Sequence, residues 1–364
     1  MMDTTQYRPT KAIIDLSAIE YNTRKIVESY PEYKYYIGVI KANAYGFGAL
    51  NVLPALLKGG INYLAVSLVE EALTIRNEYN DIPIMLLVPS EPEALEICAE
   101  NDICVTVAVK EQAIEAAGID GLKVFIRANG GRDLFGGPMD REGFEEIYSI
   151  LKNGSCELAG IFLHNYLPED KDVTDAEYAV FEDMVSDIDL SSIEIVSTSN
   201  SLSLPRYPKK QYCNACRIGN MIYGIENVNL GLKDTFILTT DVKQVVTLNK
   251  GQAIAYGGAY TAKEDGERIA VLPIGYGDGF YKANAGRDIF INDNRYKLLT
   301  VTMDITLAKV DKEVSAGDEA VLIAGNRHLD EIAEATHSVA EEELCVLGDR
   351  VRKVYLNGES VISR

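Results

Sequence analysis

The stretch Tyr36-Ile-Gly-Val-Ile-Lys41-Ala-Asn-Ala-Tyr45-Gly-Phe-Gly48 reads as a short apolar strand that ends on a lysine and runs into small residues and glycines. An almost continuously apolar run of this length suits a parallel strand buried on both faces. Similar runs recur at 12–15, 35–40, 63–66, 82–88, 103–107, 122–126, 158–163, 193–196 and 221–225, with amphipathic helical patterns between them. One leading strand and then eight with crossovers is the count of a (β/α)8 barrel. A doubly wound sheet is the competing layout, but open parallel sheets usually hold fewer strands. Helix-start signals follow several runs. Ser17-x-x-Glu20, Ser67-x-x-Glu70, Ser90-x-x-Glu93 and Thr174-x-x-Glu177 each have the form of a capping box, in which the hydroxyl accepts an orphan N–H and the Glu reaches back to the cap.

Beyond about residue 230 the texture turns β-rich, at 236–247, 253–261, 268–273, 288–291, 295–301, 307–310 and 319–323, separated by Asn, Asp and Gly turns. Asn292-Asp293-Asn294 reads as a hairpin tip. Helical pattern returns only at 330–336 and 341–347. The expectation is an α/β chain of two domains. An N-terminal barrel covers 1–230, with its first strand able to pair with the second domain, and a mostly β domain covers 231–364.

The 364 residues carry 35 Lys+Arg against 55 Asp+Glu, a formal charge of −20. Such a chain has no cation excess with which to displace counterions from phosphates, which argues against a nucleic-acid binder. With 47% hydrophobic and 25% charged residues it is no disordered chain. Residues 1–12 hold no apolar core of a signal peptide, and no run approaches the roughly 18 apolar residues of a membrane span. The cytoplasm is the expected compartment. Six cysteines are too sparse for a disulfide scaffold, and the lone Cys213-x-x-Cys216 reads as two reduced thiols rather than a zinc or redox pair. With three histidines, His164, His328 and His337, no metal centre is expected.

In a parallel barrel the active site gathers at the carboxyl ends of the strands. A lysine amine delivered there can form a Schiff base with an aldehyde. By position alone, Lys41 reads equally as a solvent-exposed lysine closing a strand. The longer motif bears on this. Val39-Ile-Lys41-Ala-Asn-Ala-Tyr45-Gly-x-Gly48 resembles the pyridoxal-phosphate lysine motif of the alanine racemase family, and the resemblance runs over almost the whole chain. Ile14-Asp15-Leu16-Ser17-Ala18-Ile19-x-x-Asn22 resembles the family's opening strand and helix, and Ala255-Tyr256-Gly-Gly-Ala-Tyr260-Thr-Ala its second-domain catalytic segment. Ile274-Gly-Tyr276-Gly-Asp278-Gly and Met303-Asp304 follow at the expected separations. The resemblance implies a cofactor-binding barrel, a C-terminal β domain, and a head-to-tail homodimer with shared active sites.

Racemisation removes the Cα proton from one face of an amino acid and returns it on the other, so it needs acid–base groups on both faces. The resemblance assigns these roles to Lys41, which also carries the cofactor, and to Tyr256, which in the family reaches the site from the partner subunit. A phenol is a weak base unless neighbouring cations stabilise its ionised form. Arg217, in Arg217-Ile-Gly219-Asn220, matches the family arginine that faces the pyridine nitrogen. Because an arginine keeps its proton, that nitrogen stays unprotonated, and the weaker electron sink limits side reactions. The resemblance gives the phosphate to Ser201 of Ser199-Asn200-Ser201, to the N–H groups of Gly219 and Asn220, and to the Tyr45 hydroxyl. It sets His164 beside the cofactor ring, Arg132 and the Met303 backbone on the substrate carboxylate, and Tyr276 at the entrance.

Several positions depart from the family pattern. The loop Arg127-Ala-Asn-Gly-Gly-Arg132 is short, and Arg127 or Asn129 falls where many members have a carbamylated lysine, so no carbamate is expected. Ser197 stands at a family histidine, Thr302 at a frequent cysteine, and Asp349 where a tyrosine usually donates to phosphate. Lys41, Tyr256 and Arg217 are untouched. The expected activity is interconversion of L- and D-alanine. A serine or broader-specificity racemase is the alternative, because a small pocket rejects one extra hydroxyl weakly. A non-catalytic pyridoxal-phosphate-binding protein is the reading from another class, and the intact Tyr256 speaks against it. A decarboxylase on the same barrel would need a different lysine context and a second-domain cysteine motif, and only Cys345 lies there.

Overall fold

The computed structural model describes residues 7–131, 136–226, 229–358 and 360–362. A leading strand, β1 (Lys11–Asp15), passes directly into α1 (Leu16–Ser29). Asp15 caps that helix, its carboxylate accepting the Ala18 N–H at 3.0 Å and the Ser17 hydroxyl at 2.7 Å. The cap is therefore two residues upstream of the expected Ser17.

Eight parallel strands follow: β2 (Tyr35–Val39), β3 (Tyr63–Val66), β4 (Ile84–Leu86), β5 (Ile103–Val107), β6 (Lys123–Ala128), β7 (Glu157–Leu163), β8 (Ile195–Ser197) and β9 (Ala215–Ile218). They form one sheet in the order β8-β7-β6-β5-β4-β3-β2-β9. Its two end strands meet at a parallel bridge between Ser199 and Cys216, which nearly closes the barrel. The one-turn α2 (Lys41–Tyr45) and helices α3 (Ala49–Gly59), α4 (Val69–Arg76), α5 (Leu95–Glu100), α6 (Lys110–Ala117), α7 (Arg141–Lys152) and α8 (Lys171–Met184) lie in the crossovers. Strand interiors such as Ile37, Leu64, Val105, Val124 and Ile161 are fully buried, as strands covered by helices require.

Some local readings need correction. The last barrel strand is Ala215–Ile218, not 221–225. Arg217 interrupts the apolar run that would mark it, whereas Met221, Ile222 and Tyr223 are buried in a turn and imitate a strand. Asp170 caps α8, so Thr174 and Glu177 lie inside that helix. Glu71 rather than Glu70 reaches back to the start of α4, and no side chain caps the short helix at Pro92–Ala94.

The second sheet contains β10 (Phe236–Asp241), β11 (Gln244–Leu248), β14 (Glu267–Leu272), β15 (Asp288–Ile291), β16 (Asn294–Val301), β17 (Thr306–Val310), β18 (Glu319–Ala324), β19 (Arg352–Asn357) and β20 (Ser360–Ile362). β1 joins it, antiparallel to β10 and parallel to β19. A separate hairpin pairs β12 (Ala253–Ile254) with β13 (Tyr260–Thr261). Asn292 and Asp293, at φ 50° and 62°, make the two-residue turn between β15 and β16, with Ile291 paired to Asn294. Helices α9 (Gly325–Thr336) and α10 (Ala340–Cys345) follow β18. α10 packs back on the Lys41 turn: a Cβ at Gly46 would stand 2.5 Å from the Leu344 carbonyl oxygen. Among the described residues, no helix is long and apolar enough to cross a membrane.

Candidate active site

Lys41 begins a turn in which Ala42, Asn43, Ala44 and Tyr45 all take left-handed backbone, at φ 52°, 53°, 55° and 54°. Left-handed geometry costs an L side chain roughly 1–2 kcal/mol per residue, so the surroundings must hold the turn. Inside it, Ala44 N–H donates to Ile40 O at 2.8 Å, Gly46 N–H to Ala42 O at 2.9 Å, and Gly48 N–H to Asn43 O at 2.9 Å. The Asn43 side chain accepts the Ala49 N–H at 2.8 Å. From outside, one Glu71 oxygen accepts the Asn43 N–H at 3.3 Å, and the other accepts those of Ser67 and Leu68 at 3.0 and 3.2 Å.

Lys41 lines a cavity of about 260 Å³ at the carboxyl ends of the barrel strands. Tyr45, His164, Ser201, Arg217, Gly219 and Asn220 line it too, so all seven residues expected to hold a cofactor share one cavity. Tyr256, Met303 and Tyr276 do not line it. Tyr256 follows β12 and is 90% exposed; Met303 and Tyr276 are 52% and 42% exposed. Those last two sit together, since Tyr276 N–H donates to Thr302 O and Gly277 N–H to Met303 O, both at 2.9 Å. Arg132 lies outside the described residues.

One side of the cavity carries a buried cation, Arg217. Its Nη1 donates to the Ser197 carbonyl at 3.0 Å and to Ser197 Oγ at 2.7 Å, its Nη2 to Leu163 O at 2.8 Å. Ser197, where the family pattern has histidine, thus supplies two of three acceptors. Burial, and after it the charge of Arg127, brings Arg217 down to about 10, which leaves it positive at neutral pH. Arg127 is also buried and donates to Leu87 O at 2.8 Å. The two guanidiniums lie 5.5 and 5.0 Å from the Phe162 ring.

The other end of the cavity is a donor cradle. Gly219 N–H donates to Ser201 Oγ at 2.9 Å. A Cβ at Gly219 would stand 2.7 Å from Tyr45 Oη, so only glycine lets that hydroxyl approach so closely. Burial, then the charges of Glu341 and Cys345, push the Tyr45 hydroxyl well above its ordinary value, and it stays a proton donor.

Sequence reasoning missed several of these residues. Glu341, from α10, lines the cavity and accepts from Asn220 Nδ2, whereas Asp349 is exposed and off the cavity. Glu177 is buried and accepts from Asn165 Nδ2 at 3.2 Å and from Tyr166 N–H at 3.1 Å, fixing two wall residues. Its signal was present: it shares the inward face of α8 with Thr174, Tyr178 and Phe181. Cys213 and Cys216 are buried, and burial pushes both thiols up. Among the described residues no group of three or more His, Cys, Asp or Glu side chains could hold a metal ion.

The chain matches two family models, "Alanine racemase, N-terminal domain" over residues 14–227 and "Alanine racemase, C-terminal domain" over 235–355. It is similar to alanine racemase 1 of Bacillus subtilis, 29% identical with 98% of this chain and 95% of that one covered. Among solved structures it is similar to alanine racemase of Clostridium difficile 630, at TM-score 0.91 and 28% identity over 98% of this chain and 97% of that one. The alanine racemase of Bacillus anthracis, solved with bound L-Ala-P, matches at TM-score 0.90 and 28% identity over the same shares.

Proposed function

The chain belongs to the alanine racemase family, and from that premise we propose that it interconverts L- and D-alanine with Lys41 and Tyr256 on opposite faces of the substrate, Tyr256 coming from a second copy. One observation carries the reading: the cavity gathers every expected cofactor residue around Lys41 yet leaves Tyr256 outside it, 90% exposed. A single chain therefore holds half of a two-base site. The L-Ala-P in the Bacillus anthracis relative agrees with alanine as substrate.

The family's cofactor, pyridoxal phosphate, fits the residues present. At Gly219 a larger residue would run into the Tyr45 hydroxyl, and the donors gathered there are Ser201, Tyr45 and the N–H groups of Gly219 and Asn220. Lys41 is the amine that would hold the aldehyde, Arg217 the cation for the ring nitrogen, and His164 a neighbour of the ring. When bound, the cofactor supplies an electron sink for the substrate's Cα. Lys41 Nζ moves a proton at one face of that carbon, and the Tyr256 hydroxyl of the second copy at the other. Arg217, fixed by three acceptors, keeps the ring nitrogen from taking a proton. Arg132 and the Met303 backbone receive the substrate carboxylate, and Tyr276 narrows the entrance.

Exposed apolar side chains support the homodimer. Leu68, Val109, Met139, Tyr166 and Leu167 lie on loops beyond the barrel strands, and Tyr256, Tyr276, Met303 and Ile305 on the second sheet's loops. Two such faces suit mutual burial. We divide the chain at 230, with β1 crossing into the second sheet. Its free thiols, four of them buried, suit a reducing compartment, the cytoplasm.

Complementation tests the shared site. Lys41→Ala and Tyr256→Phe chains are each expected to be nearly inactive. In a randomised equal mixture half the dimers are mixed, each with one intact site, so about a quarter of wild-type activity returns. No gain on mixing sinks the shared site. Chiral chromatography over a panel of L-amino acids with added pyridoxal phosphate tests the substrate; racemisation of other amino acids but not alanine overturns that assignment.

A further inference from the structure

The wall shared by the phosphate donors carries a carboxylate. Glu341 sits in the first turn of α10 and lines the cavity beside Tyr45, Ser201, Gly219 and Asn220. It accepts from Asn220 Nδ2. Its charge is felt at the Tyr45 hydroxyl, whose ionisation it opposes second only to burial. Tyr45 in turn lies against Gly219, and Gly219 N–H reaches Ser201 Oγ at 2.9 Å. Each donor to the phosphate is thus within three contacts of this negative group, and all of them share its cavity. A phosphate monoester carries about −1.5 to −2 at neutral pH, whereas the unphosphorylated aldehyde carries no such charge.

We propose that Glu341 sets this chain's affinity for its cofactor, by penalising the phosphate group. The cofactor is then held more weakly, and exchanges more readily, than the donor set alone would give. Like charges a few ångströms apart in a half-buried site repel by an amount worth about ten-fold or more in affinity. The inference rests on the reading that the cavity takes pyridoxal phosphate.

The test uses the full chain freed of cofactor, as wild type and Glu341→Gln, titrated separately with pyridoxal 5′-phosphate and with pyridoxal and followed by ligand absorbance. Gln keeps the length of the side chain and can still face Asn220. The expected result is a Kd for pyridoxal phosphate lowered about ten-fold or more in the variant, with the Kd for pyridoxal nearly unchanged. Glu341→Ala, which removes the Asn220 contact altogether, should shift the same way, and melting curves of the cofactor-free chains check that both variants are folded. An equal shift for the two ligands, no shift, or weaker phosphate binding in the Gln variant overturns the proposal while leaving the cofactor reading intact. Binding of neither ligand to any of the three proteins overturns both.

Discussion

Gly219→Ala tests the donor cradle at a single atom. The added Cβ would stand 2.7 Å from Tyr45 Oη, and ordinary contact begins near 3.4 Å, so the hydroxyl must retreat by roughly 0.7 Å. Little room lies behind it. The Tyr45 ring packs at 5.0 Å on Tyr223, which is fully buried and itself 5.0 Å from Phe47. Overpacking of this kind costs about 1–3 kcal/mol of stability. A hydroxyl moved off the phosphate that the proposed function gives it forfeits a charge-assisted bond worth about 1.5–3 kcal/mol. At ~1.4 kcal/mol per decade, cofactor affinity falls roughly 10- to 150-fold. The assay is an absorbance titration with pyridoxal phosphate, paired with thermal melting of the cofactor-free chain. Tyr45→Phe removes the same hydroxyl without the clash. Gly219→Ala added to Tyr45→Phe should therefore cost less than it does alone, a coupling of about 1 kcal/mol. Wild-type affinity and melting in Gly219→Ala, or strict additivity in the double variant, would refute the reasoning.

Glu71→Ala leaves the Asn43, Ser67 and Leu68 N–H groups without their acceptor. It should cost about 1–3 kcal/mol in denaturant unfolding, and Glu71→Gln, which keeps an acceptor oxygen, should recover much of that; equal losses in both count against a hydrogen-bonding role. The Tyr260 hydroxyl first, then the Lys263 N–H and Lys309, hold the Glu267 carboxyl down to about 2, against an ordinary 4.5. A depressed acid adds stability that is complete above its unfolded pKa and lost as pH falls through the folded one. Melting temperature should thus drop between pH 4.5 and about 2, and Glu267→Gln should flatten that limb; an unchanged limb removes Glu267 from the account. On the proposed shared site, specific activity should fall on dilution in step with dimer dissociation followed by light scattering. Activity that is constant across dissociation would leave the single chain sufficient.

The barrel was legible because its strands are short apolar runs separated by helical pattern, a signal that burial on both faces imposes. It failed where function enters a strand. β9 carries Arg217 in its middle, and a buried cation breaks the apolar pattern even though Ser197 and Leu163 accept three hydrogen bonds from it. Caps were misread for a related reason. A Ser or Thr three residues before Glu is a local pattern, but Asp15 and Asp170 were nearer the true helix starts. The left-handed Lys41 turn had little local signal, since of Ala42, Asn43, Ala44 and Tyr45 only the Asn is a residue type that takes that backbone readily. It exists because contacts distant in sequence hold it, from Glu71 and from α10. Glu341 was hidden in the same way, brought to the cavity by packing of α10 on that turn.

A chain of formal charge −20 that takes an anionic cofactor must make its attraction locally. Charges on the outer surface are screened over about 8–10 Å at physiological salt, so the acidic shell acts weakly on a group inside the barrel mouth. What acts there is fixed at contact range: the Arg217 guanidinium, the Lys41 amine and the Gly219 cradle. Composition could therefore argue against an extended polyanion, which needs many cations over a long surface, without arguing against one phosphate held by a few oriented donors. By the same logic one carboxylate at contact range counts for more than the remaining acidic surface together. That is why Glu341, and not the net charge, is the acidic residue whose removal should be felt by the cofactor.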